Sequence, residues 1–324
     1  MAYYITLDAG GTKCNAILFD EELNICGRGL SGGVNTTQTS PEDSRANVVS
    51  CINQLFKDIC PEEIACLYAS FVGPVQVLLE ELAKRTRVAN TQILGEPKAG
   101  ILAGALRKEG MLDIAGTGSD VFYITEKRKT GHRDVVGGYG PILSDDGSGT
   151  WIGQQALRAV VRACDGWKPE TMLKQMILDE WQIKDGWGMV SRIHGSVAPF
   201  RTVASVAPLV GRAAHAGDAV ALGIIRDAGD VMAEQALCLM RRMDEIPPDH
   251  RCIVACGGAW KTHPLMFETF RARIKAEHPE IDVMKPCFEH VMAGPVKLLL
   301  DRGMGYDEVR TLLSEKFSEY VIRW

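Results

Sequence analysis

Two stretches of this chain share one pattern, and this internal repeat constrains the fold more than any other feature. "LDAGGTKCNAILF" begins at Leu7 and "LDIAGTGSDVFYI" begins at Leu112; each carries Leu-Asp, a turn of small residues and then an apolar run. A repeat of about 105 residues predicts two related halves. Glycines let several backbone N–H groups point at one spot, so each turn is suited to an anion. One such turn alone is equally a decorated hairpin, but two predict a polyphosphate site across a cleft.

The segments around the repeats alternate between strand-like and helix-like patterns in both halves. The first half predicts strands at 3–7, 14–19, 23–29, 64–71 and 91–94 and helices at 41–59, 75–85 and 97–107. The second half predicts strands in the repeat and at 133–137, 252–255 and 281–284, and helices from 149 to about 243 and at 263–276 and 289–300. This order is typical of mixed sheets with helices against them, an α/β fold. We predict an N-terminal domain, 1–110, against which a C-terminal helix and tail, 289–324, pack, and a second domain, 111–288, with a helical insert, 149–243.

Composition and charge exclude several classes of partner. The net charge is -5 and no basic patch runs through the chain, which argues against a nucleic-acid partner. No apolar run reaches the roughly 18 residues of a membrane helix, and no signal segment precedes the first strand, so we expect a cytoplasmic protein. The ten cysteines are scattered among apolar neighbours and predict reduced thiols. Cys252 and Cys256, four apart on a predicted strand, are interpreted as buried thiols and not as zinc ligands.

Four glycine-bearing loops carry the candidate chemistry: 8–13, 116–119, 137–149 and 256–263. Thr precedes Lys in the first, so it is not a Walker A loop. The first two resemble the phosphate-1 and phosphate-2 hairpins of the actin/hexokinase/Hsp70 ATPase superfamily, and the fourth resembles its adenosine motif. "GGYGPILSDDGSGTWIGQQAL" and residues 203–229 are similar to the N-acetylglucosamine kinases of the BadF/BadG/BcrA/BcrD ATPase family. The resemblance runs from residue 3 to about residue 300 and implies a duplicated ribonuclease-H-like, actin-like ATPase fold.

The resemblance also implies a set of site residues and two cofactors, ATP and Mg²⁺. Asp8 is implied to hold Mg²⁺ through water, and a turn-capping role is the alternative for this residue. The implied ATP-binding residues are Gly10, Gly11, Thr12, Lys13, Gly116, Thr117, Gly118, Ser205, Gly257, Gly258, Ala259 and Thr262. The implied sugar-binding residues are Asn35, Ser119, Asp120, Gly138, Tyr139, Gly140 and Asp145. A solvated turn lysine is the alternative for Lys13, and an unordered loop side chain is the alternative for Asn35.

The general base is where this sequence departs from the family. The family carries Asp at the end of the fifth strand, and this chain has Glu96 there, followed by Pro97. We expect the backbone of Glu96 to lie outside the helix that follows, because a residue before proline disfavours helical geometry. Asp120 and Tyr139 also depart from the family pattern, in which Asn and Trp are usual. All three departures fall on the sugar side, and Asp145 remains an alternative base.

The resemblance, together with the two anion-binding hairpins, therefore implies an ATP- and Mg²⁺-dependent amino-sugar kinase, with the 6-hydroxyl as the expected acceptor. N-acetylglucosamine, glucosamine and N-acetylmuramic acid all remain open as substrates. We expect a homodimer. Separately, helical spacing in the tail 307–320 predicts an apolar stripe that docks either on its own chain or on a second subunit. A second hypothesis is an ATPase that activates a dehydratase or reductase by ATP-driven electron transfer, with Cys256 as the one candidate cluster ligand. A third, a sugar sensor, is disfavoured because only seven residues precede Asp8.

Overall fold

The computed structural model describes residues 1–36, 39–127, 130–243 and 245–323, and the chain divides into two compact units. The first unit contains residues 1–109 and 286–323, and the second contains residues 110–285. In the described part of the chain, no helix is long and apolar enough to cross a membrane. All ten cysteines are free thiols.

The first unit opens with three strands and continues as alternating helices and strands. Its elements up to residue 109 are β1 (Tyr3–Ala9), β2 (Lys13–Asp20), β3 (Ile25–Gly32), α1 (Pro41–Leu55), β4 (Glu63–Ile64), β5 (Cys66–Phe71), α2 (Val75–Ala83), β6 (Arg87–Val88), β7 (Thr91–Ile93) and α3 (Glu96–Ala105).

The second unit repeats this plan around a block of helices. Its elements are β8 (Gly110–Ala115), β9 (Ser119–Ile124), β10 (Val135–Gly137), α4 (Gly149–Cys164), α5 (Met172–Trp181), α6 (Gly186–His194), α7 (Pro199–Ala204), α8 (Ala207–His215), α9 (Ala219–Met240), β11 (Cys252–Cys256), α10 (Pro264–Glu277) and β12 (Asp282–Met284). The chain then returns to the first unit with a 3-10 turn (His290–Met292), α11 (Ala293–Asp301) and α12 (Tyr306–Lys316).

The two sheets have the same topology. The first has the strand order β3-β2-β1-β5-β7 and the second has the order β10-β9-β8-β11-β12. In each sheet the first three strands of the unit are antiparallel, and the two later strands run parallel to the first strand. This repetition confirms the predicted duplication and its α/β class.

The cores explain where polar residues of the central strands point. In the first unit, α1 and α2 cover one face of the sheet, and α3, α11 and α12 cover the other. Ile5, Leu7 and Ala9 of β1 belong to the core under α1 and α2. Because side chains alternate along a strand, Thr6 and Asp8 point to the face covered by α3 and α11.

Several element boundaries differ from the sequence prediction. The predicted strand 64–71 is two strands, because the N–H of Ala65 donates to the Tyr3 carbonyl (2.8 Å) and β4 pairs with β6 instead of β1. The predicted helix 289–300 begins as the 3-10 turn, and α11 starts only at Ala293. The expectation that Glu96 lies outside its helix is wrong: Gly95 turns the chain with φ 73°, and α3 starts at Glu96. Pro97 then stands in the first turn, where its missing N–H needs no acceptor.

Candidate active site

The first hairpin places its glycines and Asn35 together. The N–H of Gly10 donates to the Lys13 carbonyl (3.0 Å), which closes the turn. The Gly10 carbonyl accepts from the N–H groups of Val34 (2.8 Å) and Asn35 (3.2 Å). A Cβ placed on Gly10 has no neighbour within 4 Å, so the space above this glycine is open. The hairpin therefore brings a predicted sugar-binding residue, Asn35, next to predicted phosphate-binding residues.

Asp8 lies at the carboxyl end of β1, among groups from three other segments. Ser70, its register partner on β5, donates a hydrogen bond to the carboxylate. Burial raises the pKa of Asp8 above its usual range, while His290 and Lys13 act in the opposite direction. Lys13 Nζ forms an ion pair with Glu289 Oε2 at 2.9 Å. The lysine is therefore paired, and not simply solvated.

The second hairpin is joined to the start of α4. The N–H of Gly116 donates to the Gly118 carbonyl (2.8 Å), and the Gly116 carbonyl accepts from the N–H of Gly149 (2.8 Å). The Thr117 carbonyl accepts from the hydroxyl of Thr150 at 2.7 Å. A Cβ on Gly116 has no neighbour within 4 Å. An open glycine turn beside a helix N-terminus is a favourable place for an anion.

Asp145 joins three of the predicted sugar-binding segments. It has a left-handed backbone, φ 62°, and its carboxylate accepts from the backbone N–H groups of Ser119 and Gly140. Burial raises the pKa of Asp145, although these two hydrogen bonds lower it. The hydroxyl of Ser119 donates to the Asp146 carbonyl at 2.7 Å. A Cβ on Gly118 would lie 2.7 Å from Asp145 Oδ2, so the carboxylate packs directly on the hairpin.

The remaining predicted sugar-binding residues of the second unit lie on β9 and on the adjoining loop after β10. Gly137 pairs with Asp120 across β9 and β10, and the N–H of Gly138 donates to the Ser119 carbonyl (3.0 Å). A Cβ on Gly138 would lie 3.3 Å from Asp120. Tyr139 is 73% exposed. The second unit thus collects Ser119, Asp120, Gly138, Gly140 and Asp145 in one place, with Tyr139 projecting from it.

The predicted adenosine loop is pressed against the second hairpin. Gly257 has φ 110°, and a Cβ there would lie 2.3 Å from the Ala115 carbonyl, so only glycine fits. A Cβ on Gly258 meets nothing within 4 Å, and Ala259 is buried. The carbonyl of Thr262 lies against Gly211 of α8, where a Cβ would be 2.2 Å away.

Ser205 lies outside this tightly packed loop. It ends α7, and its exposed hydroxyl donates to the Thr202 carbonyl at 2.7 Å. The preceding residue, Ala204, faces Gly149 at the start of α4, with 3.8 Å between its Cβ and a Cβ placed on Gly149. Ser205 is therefore near the helix start that supports the second hairpin.

Glu96 lies at the same sheet edge as Asp8. The parallel strands β1, β5 and β7 end at one edge, and Glu96 follows β7 by three residues. Two strand spacings separate β1 from β7, roughly 10 Å. Glu96 is exposed as the first residue of α3, so its carboxylate is available to a bound molecule.

Asp113, the counterpart of Asp8 in the sequence repeat, lies in the interior of the second unit. Asp8 is one residue from the end of β1, but Asp113 is two residues from the end of β8. Because side chains alternate along a strand, the two aspartates point to non-equivalent faces of their respective sheets. Asp113 is fully buried, and within the described ranges neither of its carboxylate oxygens has a hydrogen-bond partner. Burial raises its pKa well above the usual range, and the nearby Asp120 raises it further.

The residues around Asp8 fit a magnesium ion that is bound mainly by water and phosphate. Among the described residues, no group of three or more His, Cys, Asp and Glu side chains could hold a metal ion. Mg²⁺ commonly uses only one or two carboxylates together with water and substrate phosphates. Asp8, half-buried beside the open Gly10 turn, supplies one such carboxylate.

Comparison with known proteins shows the family. The sequence profile of the BadF/BadG/BcrA/BcrD ATPase family matches residues 5–291. The chain belongs to the BadF/BadG/BcrA/BcrD ATPase family. The two open glycine hairpins described above lie within the matched region.

Alignments with similar proteins cover between 71% and 93% of this chain. An N-acetylmuramic acid/N-acetylglucosamine kinase from Clostridium acetobutylicum is 23% identical over 295 residues, 88% of this chain and 94% of the relative. The glucosamine kinase GspK of Vibrio cholerae is 26% identical over 241 residues, 71% of this chain and 78% of the relative. A solved structure from Chromobacterium violaceum, provisionally named an N-acetylglucosamine kinase, has a TM-score of 0.67 at 22% identity and covers 93% of this chain and 99% of its own. This structural likeness confirms the predicted fold class.

Proposed function

We propose that this family member is an ATP-dependent sugar kinase that transfers the γ-phosphoryl group of ATP to an amino sugar. Family membership supports the use of ATP, and the names of the two relatives support an amino-sugar acceptor. N-acetylglucosamine, glucosamine and N-acetylmuramic acid are the candidate substrates. Homodimer formation and a cytoplasmic location remain predictions from the sequence.

The observation that carries this proposal is that each of the three predicted nucleotide-binding loops contains an open glycine. A Cβ on Gly10, Gly116 or Gly258 meets nothing within 4 Å, although glycines beside them are tightly packed. Gly33 and Gly257, for example, would place a Cβ 2.2 Å and 2.3 Å from backbone atoms. Packing within the protein therefore requires glycine at these two positions but not at the three open ones. A ligand that approaches the backbone explains why those three positions are glycine.

Each unit, taken by itself, offers groups that suit a nucleotide. In the first unit, the turn from Gly10 to Lys13 offers backbone N–H groups and an ammonium to phosphate. In the second unit, the turn from Gly116 to Gly118 offers N–H groups beside the α4 N-terminus. Gly258 offers an open backbone to the adenosine. When bound, Mg²⁺ supplies charge neutralisation of the phosphates, and Asp8 would hold it through water.

The sugar-binding groups are acceptors and donors with fixed positions. Asp145 is held by two backbone N–H groups, so its remaining acceptor capacity is directed at the hydroxyls of a sugar. The backbone N–H of Asn35 donates a hydrogen bond to the Gly10 carbonyl. Its side-chain amide is offered to the substituent at the second carbon of an amino sugar. We place the 6-hydroxyl as the acceptor of the phosphoryl group.

Glu96 is the proposed general base of the transfer. Its carboxylate takes the proton of the attacking hydroxyl as the oxygen–phosphorus bond forms and the bond between the γ-phosphorus and the bridging oxygen of ADP breaks. Positioning and charge stabilisation carry most of the catalysis in such reactions. Asp145 has two structural hydrogen bonds and is 6% exposed, which favours Glu96 over Asp145 for this role.

A substrate panel tests this proposal. Purified protein is incubated with ATP, Mg²⁺ and each candidate amino sugar, with glucose and buffer as controls, and ADP formation is followed. We expect ADP formation that depends on an amino sugar and exceeds the rate with glucose. ADP formation at the same rate with and without sugars would contradict a kinase.

A further inference from the structure

The segment after the second unit reaches the phosphate hairpin, although no sequence motif marks it. Glu289 lies 276 positions from Lys13 and forms an ion pair with it, and both side chains are half-exposed. The next residue, His290, starts the 3-10 turn that packs against β1, β2 and α3. A cation and its counter-ion therefore stand where the proposed function places phosphate.

Backbone hydrogen bonds fix this segment firmly. The N–H of Glu289 donates to the Tyr320 carbonyl (3.0 Å), and its carbonyl accepts from the N–H of Met292 (2.9 Å). The hydroxyl of Thr6 donates to the Val291 carbonyl at 2.5 Å. Thr6 precedes Asp8 by two residues on the same face of β1, so this bond ties the turn to the strand that carries Asp8.

Close packing leaves the turn little freedom to move away. A Cβ on Gly294, at the start of α11, would lie 2.6 Å from both the Cβ and the hydroxyl of Thr6. The N–H of Gly294 donates to the same hydroxyl at 3.2 Å. The positions of Glu289 and His290 beside the hairpin are therefore set by the fold and not by their own ion pair.

We propose that Glu289 is a positioning residue: it binds the Lys13 ammonium before the nucleotide arrives and releases it to the phosphates of the nucleotide. We also propose that His290 is a further phosphate-binding residue of the same site. The inference rests on the proposed function, because it takes the anion at the hairpin to be ATP. Lys13 leaves Glu289 when the β- and γ-phosphates arrive and returns to it when ADP departs. His290 donates a ring N–H to a phosphate oxygen next to Asp8.

The sign of the effect follows from competition for one ammonium. While Glu289 holds Lys13, nucleotide binding must break that pair, so the carboxylate opposes binding. A half-exposed ion pair contributes about 0.2–1 kcal/mol, which corresponds to at most about a fivefold change in affinity. Glu289→Gln should therefore tighten MgADP binding by about 1.4- to fivefold. If ADP release limits turnover, kcat falls while the KM for ATP also falls.

A double-mutant cycle separates exchange from a general change of charge. Lys13→Met should weaken MgADP binding by about tenfold or more, because a charge-assisted hydrogen bond is lost. In the Lys13→Met background, Glu289→Gln should have no effect, because nothing remains to be exchanged. Glu319→Gln, which breaks the ion pair with Arg28 in the same C-terminal tail, is the matched control and should leave MgADP affinity unchanged.

His290 is tested by truncation and conservative replacement. His290→Ala should weaken MgADP binding by about tenfold and leave AMP binding unchanged. Gln and Asn each keep a donor near one of the two ring nitrogens, and one of them should restore most of the affinity. Thermal melting of each variant identifies any that fails to fold, and for such a variant the Gln or Asn replacement provides the test.

Calorimetry with MgADP and AMP on the full chain gives the decisive outcomes. Tighter binding by Glu289→Gln that disappears without Lys13 supports the exchange. Binding that is weaker, unchanged, or tightened equally in both backgrounds overturns it. If His290→Ala, Gln and Asn all bind MgADP like wild type, the phosphate role of His290 is overturned. Failure of the wild-type protein to bind MgADP would instead contradict the proposed function, and this inference with it.

Discussion

Replacement of the buried Asp113 by an apolar residue should stabilise the second unit. Asp113 is 0% exposed and both its carboxylate oxygens lack a hydrogen-bond partner among the described residues. Its cross-strand neighbours in register are Val121 and Ala255, both apolar. Asp113→Val removes the two unsatisfied oxygens and places a β-branched side chain in a central strand.

The expected magnitude follows from the burial of an unsatisfied polar group. Such a group costs about 1–3 kcal/mol, so Asp113→Val should raise the free energy of unfolding at pH 7 by about that amount. For a unit of this size each kcal/mol corresponds to about 2–4 °C in Tm. The fit of the larger side chain decides where in this range the gain falls.

The pH dependence gives a second, independent signature. Because burial raises the folded-state pKa of Asp113, the folded chain keeps a proton that the unfolded chain loses near pH 4. The contribution to stability is therefore fully present below about pH 4 and is lost as the pH rises toward the folded-state pKa. Asp113→Asn, which cannot ionise, should remove this slope while it keeps an unsatisfied polar group.

Calorimetric unfolding between pH 4 and pH 8 tests both statements. Asp227→Asn, on the exposed side of α9 in the same unit, is the control and should leave the stability profile unchanged. A destabilised Asp113→Val variant together with an unchanged pH slope in Asp113→Asn would refute the reasoning. That result would mean that the carboxylate is solvated or paired in the folded protein.

Three further predictions concern the proposed active site. Gly10→Ala and Gly116→Ala should each weaken MgATP binding in calorimetry by about tenfold or more, with unchanged Tm. The control Gly223→Ala, at an equally open glycine on α9, should bind MgATP normally. Normal binding by both hairpin variants would contradict the phosphate site. Glu96→Gln should lower kcat by about 10²–10⁴-fold at unchanged ATP affinity, and Glu96→Asp should retain part of the activity. Near-normal turnover by Glu96→Gln would exclude Glu96 as the general base. Asp145→Asn should raise the KM for the sugar by about tenfold in steady-state assays, because one of the two carboxylate acceptors is replaced by a donor. An unchanged KM would remove Asp145 from the sugar site.

The sequence was sufficient to predict most of the fold, because periodicity and the repeat both report local structure. The strands of the first hairpin and the starts of α1 and α2 agree with the predicted segments to within a few residues. The role of Asp113 could not be predicted, since the sequences align Leu-Asp with Leu-Asp. One extra residue between Asp113 and its glycine reverses the face of the strand, and only the register of β8 reveals this.

Contacts between distant segments were beyond the reach of the sequence. Glu289 and His290 carry no motif, and their place beside Lys13 depends on the return of the chain from the second unit. The backbone of Glu96 was predicted wrongly because the positive φ of Gly95, which starts α3 early, outweighs the preference set by Pro97. Local rules therefore predicted the hairpins, while tertiary contacts decided which charged groups surround them.

Phosphorus NMR of the reaction product tests the central claim most directly. The protein is incubated with MgATP and N-acetylglucosamine, glucosamine or N-acetylmuramic acid, and a phosphorus–proton correlation spectrum is recorded. We predict stoichiometric formation of ADP and of one phosphomonoester whose phosphorus couples to the two protons at the sixth carbon of an amino sugar. Inorganic phosphate as the only new phosphorus species beside ADP, with every sugar unmodified, would contradict the kinase and identify the protein as an ATPase.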